Sequence, residues 1–468
     1  MDSQYINRDL MGGLGVNINS RTRVTGKIMS YLKAKSIRLP VLSLVYAASV
    51  LSRTHDVAAL DAANLDLSCE ETLRRIAREK PDWVISTTSI SALMQEAAFL
   101  ADLKKNLNVT VGLMGDAATF LHAQVLEKYS IDFIIKGDEP EFIIDKIAGA
   151  NGYKSAPGVI YREGMALRDT GDAGTILNLD ELPFPKWDLF PVKRYRYFPI
   201  LRQTPFLPVL STRGCPYGCI YCPYTSNQGL KYRFRSAENV IDELVYLKEK
   251  YLVNAVQFRD PTFTLKKERV LQICEGMLKH RLSLEWGCET RVDCLDEALI
   301  EKMAEAGLKG VNIGIESSDR DVVRNVKRGW IDPDHIRKMV RCMTDHGIRV
   351  SGFFILGLPG ENRKTIEKTL EFSVELPLTY AEFKIATPFP GTPLFDMAKN
   401  NHWIEDMKIA DYTSYIPSMR VSEEMDPNYL EKASNQAYRS FYMRPKKIVK
   451  ELLSDAFILK LSNILIYG

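Results

Sequence analysis

The sequence predicts an α/β chain in two units, a doubly wound domain and then a parallel β/α barrel, with a small helical region behind them. Two stretches of alternating strand-like and helix-like segments, within residues 36–150 and 206–395, carry that prediction. Composition agrees with it. Hydrophobic residues are 46% and charged residues 26% of a chain of 468, the profile of a globular protein long enough for more than one core. Lys and Arg number 62 against 59 Asp and Glu, a net charge of +3 that gives no electrostatic case for a nucleic-acid partner. No apolar run reaches the roughly 20 residues of a transmembrane segment. The opening MDSQYINRDL has no signal-peptide apolar region, so a cytoplasmic protein is expected.

Domain boundaries are expected at 1–150, 151–205 (a connector), 206–395 and 396–468. In the first unit a helix pattern over Leu39–Leu51 precedes strand Val57–Leu60, helix Glu71–Arg78 and strand Trp83–Ser86. Helix Leu93–Leu103, strand Val109–Met114, helix Phe120–Tyr129, strand Phe133–Lys136 and a helix from Glu139 complete it. Ligands of such domains sit beyond the carboxyl ends of the strands. Those ends are Ser86-Thr87-Thr88-Ser89, Gly115-Asp116-Ala117-Ala118 and Gly137-Asp138-Glu139-Pro140-Glu141. The connector holds a hairpin, Gly158–Tyr161 with Ala166–Arg168.

Strands of the second unit are expected at Pro208–Thr212, Ala255–Arg259, Leu284–Glu289, Gly310–Glu316, Val350–Leu356 and Ala381–Ala386. The gaps read as helices. Val240, Leu244, Leu247 and Tyr251 form an apolar stripe, Asp296 caps a helix that Gly307 stops, and Asp332-Pro333 opens one that Gly347 closes. Tyr438, Phe441 and Tyr442 in the last region read as core, and the closing DAFILKLSNILIYG (455–468) as packing on the barrel or lying on a membrane surface.

Eight cysteines in a chain this long do not make a disulfide framework, so their spacing matters. Cys215, Cys219 and Cys222 form a C-x3-C-x2-C run after an apolar stretch, while Cys69, Cys274, Cys288, Cys294 and Cys342 are scattered. A structural zinc site usually takes four ligands, and no further Cys or His is close in sequence. Three thiolates on one short loop suit a four-iron cluster that leaves one iron open to a ligand. Pro216, Gly218 and Pro223 suit a tight loop around it.

At these residues the sequence resembles the radical S-adenosylmethionine (SAM) superfamily, whose signature is C-x3-C-x-aromatic-C, with Tyr221 in the aromatic place. The resemblance implies a partial (β/α)6 barrel, a [4Fe-4S] cluster on Cys215, Cys219 and Cys222, and SAM on the open iron. One electron then cleaves SAM to methionine and a 5′-deoxyadenosyl radical. It further implies SAM contacts at the carboxyl ends of the strands. These are Asp260 (SAM amino group), Glu289 and Arg291 (ribose or carboxylate), Glu316 in Gly314-Ile315-Glu316-Ser317 (ribose), and Gly357 in Gly357-Leu358-Pro359-Gly360-Glu361, where backbone would approach adenosine. The turn Thr387–Pro393 is typical of these proteins.

The three loops of the first unit are similar, in order and spacing, to the Rossmann-like cobalamin-binding domain that precedes many such barrels. So are LPVLSLVYAASVL (39–51) and LDELPFP (179–185). The likeness implies cobalamin contacts at Ser86, Thr87, Thr88, Gly115, Asp116, Gly137 and Glu139. A D-x-H-x-x-G loop is absent, which suggests cobalt bound without a protein histidine; Asp116 stands where the family usually has a second glycine. The usual first strand is not evident, and Met11–Gly15 stands as a partial substitute. Residues 437–453 are similar to the tail of the anaerobic magnesium-protoporphyrin monomethyl ester cyclases. The expected function is therefore a cobalamin-dependent radical SAM methyltransferase acting on an unactivated carbon or phosphorus. An oxidative cyclase or rearrangement enzyme without methyl transfer is the enzymatic alternative, and a cobalamin-sensing protein with a degenerate barrel the non-enzymatic one. Expected partners are a small-molecule, lipid or pigment-like substrate and a one-electron reductant such as flavodoxin or ferredoxin.

Overall fold

A computed structural model describes residues 37–452 apart from 138, 150–151, 327–328 and 405–411. The Met11–Gly15 segment and the apolar 455–468 stretch lie outside the described residues. The first sheet runs β1 (Trp83–Thr87), β2 (Thr110–Met114) and β3 (Phe133–Ile135) in parallel. The hairpin β4 (Val159–Glu163) and β5 (Ala166–Asp169) then adds antiparallel to β3 and covers its edge.

Helices cover both faces of this sheet. On one side lie α2 (Cys69–Glu79), α3 (Leu93–Leu107) and α5 (His122–Lys128), and on the other α1 (Leu42–Leu51) and α6 (Pro140–Gly149). The strand order follows the sequence, so the reversal that defines a doubly wound sheet does not occur among the described strands. Val57–Leu60, expected as a strand, is irregular. With one β-branched residue in an Ala- and Asp-rich run it has little preference for a pleated ladder. Asp61 and Asn64 hold the adjoining turn instead, through Tyr195 (2.9 Å) and the Leu39 carbonyl (2.9 Å). The expected helix Phe120–Tyr129 is broken at Leu121, so that α4 (Asp116–Phe120) starts directly from Gly115.

The second sheet has six parallel strands in sequence order. They are β6 (Phe206–Val209), β7 (Ala255–Phe258), β8 (Glu285–Arg291), β9 (Leu308–Glu316), β10 (Arg349–Leu356) and β11 (Tyr380–Ile385). Helices α7 (Ala237–Tyr251), α8 (Lys267–Lys279), α9 (Glu297–Glu305), α10 (Pro333–Asp345) and α11 (Arg363–Glu375) fill the gaps. Their ends follow local chemistry. Asp296 accepts the Leu299 N–H, Asp332 accepts the Asp334 N–H ahead of Pro333, and Gly307 and Gly347 take φ of 99° and 72° past their helices.

Helix α1 is apolar on every side and lies buried between the units. Leu42, Val45 and Tyr46 join the core of the second sheet and Ala47 that of the first.

At the other edge, α12 (Pro427–Tyr442) covers β11. The Tyr442 hydroxyl donates to the Ala381 carbonyl (2.9 Å) and accepts its N–H (3.0 Å), and the Tyr438 hydroxyl accepts the Phe383 N–H (3.3 Å). Two phenols thus satisfy an edge strand that would otherwise present unpaired backbone. The double change Tyr438→Phe with Tyr442→Phe keeps the apolar packing and removes those partners. It is expected to cost about 2–4 kcal/mol, read as a lower denaturation midpoint.

Candidate active site

The site begins where the chain leaves β6. Thr212–Arg213 pairs antiparallel with Arg233–Phe234, so the loop that carries the cysteines springs from a short ladder. Gly214 has φ of 80°, and a Cβ there would stand 2.2 Å from the Lys231 carbonyl oxygen, so only glycine passes. Cys215 N donates to Gly229 O at 3.1 Å, and Cys222 N to Cys219 O at 3.1 Å. Ile220 bonds through its N–H to Val326 O (3.1 Å) and through its carbonyl to Leu394 N (3.0 Å), which ties the loop to the elements after β9 and β11.

None of the three cysteines is in a disulfide, and all three are partly buried. Burial pushes the Cys222 thiol up to about 12, and the nearness of Cys219 and Cys215 pushes it the same way. Crowded thiols of this kind ionise readily only against a cation, which is the electrostatic setting a metal cluster supplies. No trio of His, Cys, Asp or Glu among the described residues is arranged to hold a single metal ion. A cubane asks for something else, with each thiolate meeting its own iron at a separate corner.

Around the loop, Arg291 at the end of β8 grips Asp293 through Nε (2.9 Å) and Nη2 (2.6 Å) and stacks over the Tyr217 ring at 3.6 Å. Its remaining nitrogen, Nη1, is buried without a partner and is suited to an anionic ligand group. Glu289 is paired with Arg259 at 2.5 Å. Glu316, at φ of 61°, receives a hydrogen bond from Tyr221; burial above all, then this carboxylate and the thiols, drives the Tyr221 phenol far above its ordinary range.

Two expected contacts have other partners. Asp260 is wholly buried, and its carboxylate accepts Ser211 N (2.7 Å), Thr212 N (2.9 Å) and the Ser211 hydroxyl. The chain leaving β6 presents those donors together, so Asp260 braces the root of the cysteine loop. Gly357 has φ of 85°, and Leu430 of α12 approaches it closely, 2.9 Å from where a Cβ would stand.

The first unit contributes the carboxyl ends of β1, β2 and β3. Ser86 Oγ donates to Glu96 (2.6 Å) and Thr88 Oγ1 to Ser89 O (2.9 Å), whereas the Thr87 hydroxyl is buried without a partner. Gly115 and Gly137 take φ of 109° and 74°, and space is open around a Cβ at Gly137. Asp116 opens α4. Glu139, expected at a corrin, is engaged by Arg233 and by Ile176 N (2.8 Å), because two buried arginines beside the cysteine loop need counter-charge. Phe120 sits against Gly391 in the turn after β11, its Cζ 2.2 Å from where a Cβ would stand. The carboxyl ends of β2 and β3 therefore meet those of β11 and β6.

Four residues near the loop were not expected as site residues from the sequence. Cys294 Sγ lies 3.3 Å from the Tyr217 hydroxyl, Thr262 Oγ1 lies 3.8 Å from Cys215 Sγ, and the Glu141–Arg213 pair is wholly buried. Cys294 and Thr262 each follow the end of a predicted strand by a few residues, and that position was the available signal.

A protein-family model described as the Radical SAM superfamily matches residues 209–373. The chain is 32% identical to an uncharacterized methyltransferase of Pyrococcus horikoshii over 90% of its own length and 92% of the relative's. It is 27% identical to the anaerobic magnesium-protoporphyrin IX monomethyl ester cyclase of Rubrivivax gelatinosus, over 83% of this chain and 70% of that one. The solved radical SAM methyltransferase TsrM of Kitasatospora setae, with cobalamin and a [4Fe-4S] cluster bound, has the same fold. Its TM-score is 0.70 at 16% identity, over 92% of this chain and 93% of that one. With the cysteine loop at the mouth of a six-stranded parallel sheet and a relative this similar over nearly its whole length, the chain belongs to the radical SAM superfamily.

Proposed function

We propose that this protein is a cobalamin-dependent radical SAM methyltransferase acting on an unactivated carbon or phosphorus. The observation that carries the proposal is the meeting of two sets of strand ends, one bearing the three cysteines of the C-x3-C-x2-C loop and the other Thr87, Gly115 and Gly137. On this reading the second sheet is a partial (β/α)6 barrel and the first a Rossmann-like cobalamin domain. The names of the Pyrococcus relative and of TsrM support methyl transfer.

When bound, a cluster with an open iron supplies the electron that cleaves SAM, and cobalamin supplies a transferable methyl group. The chain's own residues do the rest. Cys215, Cys219 and Cys222 hold three corners of the cluster, and Thr262 stands against Cys215. Arg291 offers Nη1 to the SAM carboxylate, while Glu316, oriented by Tyr221, and Glu289, held by Arg259, take its ribose. Thr87 offers its unpaired hydroxyl to the corrin, and Gly115 and Gly137 let backbone approach it. A small-molecule, lipid or pigment-like substrate enters between the units, and a one-electron reductant such as flavodoxin or ferredoxin serves the cluster. Among the described residues no helix is long and apolar enough to cross a membrane.

The test is anaerobic purification with added hydroxocobalamin, absorption spectra, and incubation with methyl-labelled SAM and the small-molecule extract of the source cells. Both iron–sulfur and corrin bands, and label in an organic product, are expected. Cyclisation or rearrangement, favoured by the cyclase relative, predicts 5′-deoxyadenosine without label in product. Iron–sulfur absorption with no retained corrin would overturn the cobalamin assignment.

A further inference from the structure

Four buried charged side chains join the two units, and the proposed chemistry uses none of them. Arg213 and Glu141 are wholly buried, and Arg233 and Glu139 nearly so. Arg213 is ion-paired with Glu141 and lies 3.7 Å from Glu139. Arg233 is ion-paired with Glu139 and donates to Ile176 O (2.7 Å) and Gln228 O (3.1 Å). The two acids stand at the start of α6, just past β3, and the two arginines are directly paired across the ladder from which the cysteine loop springs.

Burying four ions is costly, and apolar residues of similar volume in such places are often as stabilising or more so. Stability alone does not explain the cluster. What it adds is direction, since a guanidinium fork fixes both the separation and the angle of its acid. On the opposite edge of the second sheet, Phe120 against Gly391 makes a second tie between the units.

We propose that the Glu141–Arg213 and Glu139–Arg233 pairs are positioning residues that hold the cysteine loop at a set distance from the carboxyl ends of β2 and β3. The proposal rests on the reading above only for what those two ends carry.

The test is the paired change Glu141→Met with Arg213→Met in the full chain, beside Glu141→Gln alone. Amide hydrogen exchange is followed at 139–149 and 212–222, on the metal-free chain and again after anaerobic cluster reconstitution. The EPR spectrum of the dithionite-reduced cluster is the second readout. The paired variant is expected to fold with a thermal midpoint no lower than that of the single one, which leaves buried Arg213 only the more distant Glu139, at 3.7 Å, as counter-charge. Exchange in both segments is expected to rise by about tenfold or more, and the EPR g-values to shift. Wild-type exchange and a wild-type spectrum in the paired variant would overturn the proposal, leaving the four side chains as space-filling. If that variant does not fold, Glu139→Met with Arg233→Met is read in the same way. A chain that assembles no cluster sinks the functional reading, while exchange on the metal-free protein still decides this one.

Discussion

Replacing any one of Cys215, Cys219 or Cys222 by alanine is expected to abolish SAM cleavage, with 5′-deoxyadenosine formation falling by about three orders of magnitude or more. A cluster held at two corners loses iron, and no other cysteine is set to replace the missing thiolate. Cys294, a further thiol beside the loop, lies 3.3 Å from the Tyr217 hydroxyl and is not part of the loop itself. Cys69→Ala, at an exposed position on the first unit, is expected to leave cleavage intact. The same burial that pushes the Cys222 thiol up to about 12 makes the metal-free loop hold its protons, so cluster loading should release protons and slow as pH falls. Iron content, absorption and 5′-deoxyadenosine assays on the single variants check the first expectation. A triple-alanine variant that cleaves SAM as wild type does would refute the cluster assignment.

The second large effect is on stability and concerns Glu361, in the loop after β10. Its Oε2 accepts Gly357 N (2.6 Å) and Leu358 N (3.0 Å), yet burial outweighs these bonds and pushes the carboxyl up to about 7. A raised acid binds its proton more tightly in the folded state than in the unfolded one. Its contribution is therefore whole below the unfolded carboxyl value and is lost as pH rises through about 7. Glu361→Gln keeps an acceptor for the two N–H groups and cannot ionise. The variant should gain on wild type by on the order of 2–3 kcal/mol between about pH 4.5 and pH 8, and no further above. Comparing the two proteins cancels every other titrating group. Denaturation midpoints measured in parallel across that range check it, and a constant difference would show that Glu361 does not titrate with folding.

Much of the architecture was legible along the chain. Local chemistry set the helix ends, because Asp296 and Asp332 accept N–H groups of the first turns that follow them and Gly307 and Gly347 take the positive φ that ends the helices before them. All six strands of the second sheet could be placed from short apolar runs, and the C-x3-C-x2-C spacing marked the reactive loop. Period-2 and period-3.6 patterns failed where a segment had no sheet to join, as at Val57–Leu60, and where a helix had to turn sharply, as at Leu121.

What the sequence determined alone was therefore the class of chemistry and the order of its parts, since thiol spacing, strand runs and caps act over a few residues. Which polar groups are spent on the protein itself was decided only by the tertiary structure. Asp260 and Glu139 lie after strands like any ligand-binding residue, but folding brings donors from Ser211, Thr212 and Arg233 to them across 48 to 94 positions of chain. A buried carboxylate must be satisfied by whatever donors packing supplies, and packing is a property of the whole chain rather than of any window within it.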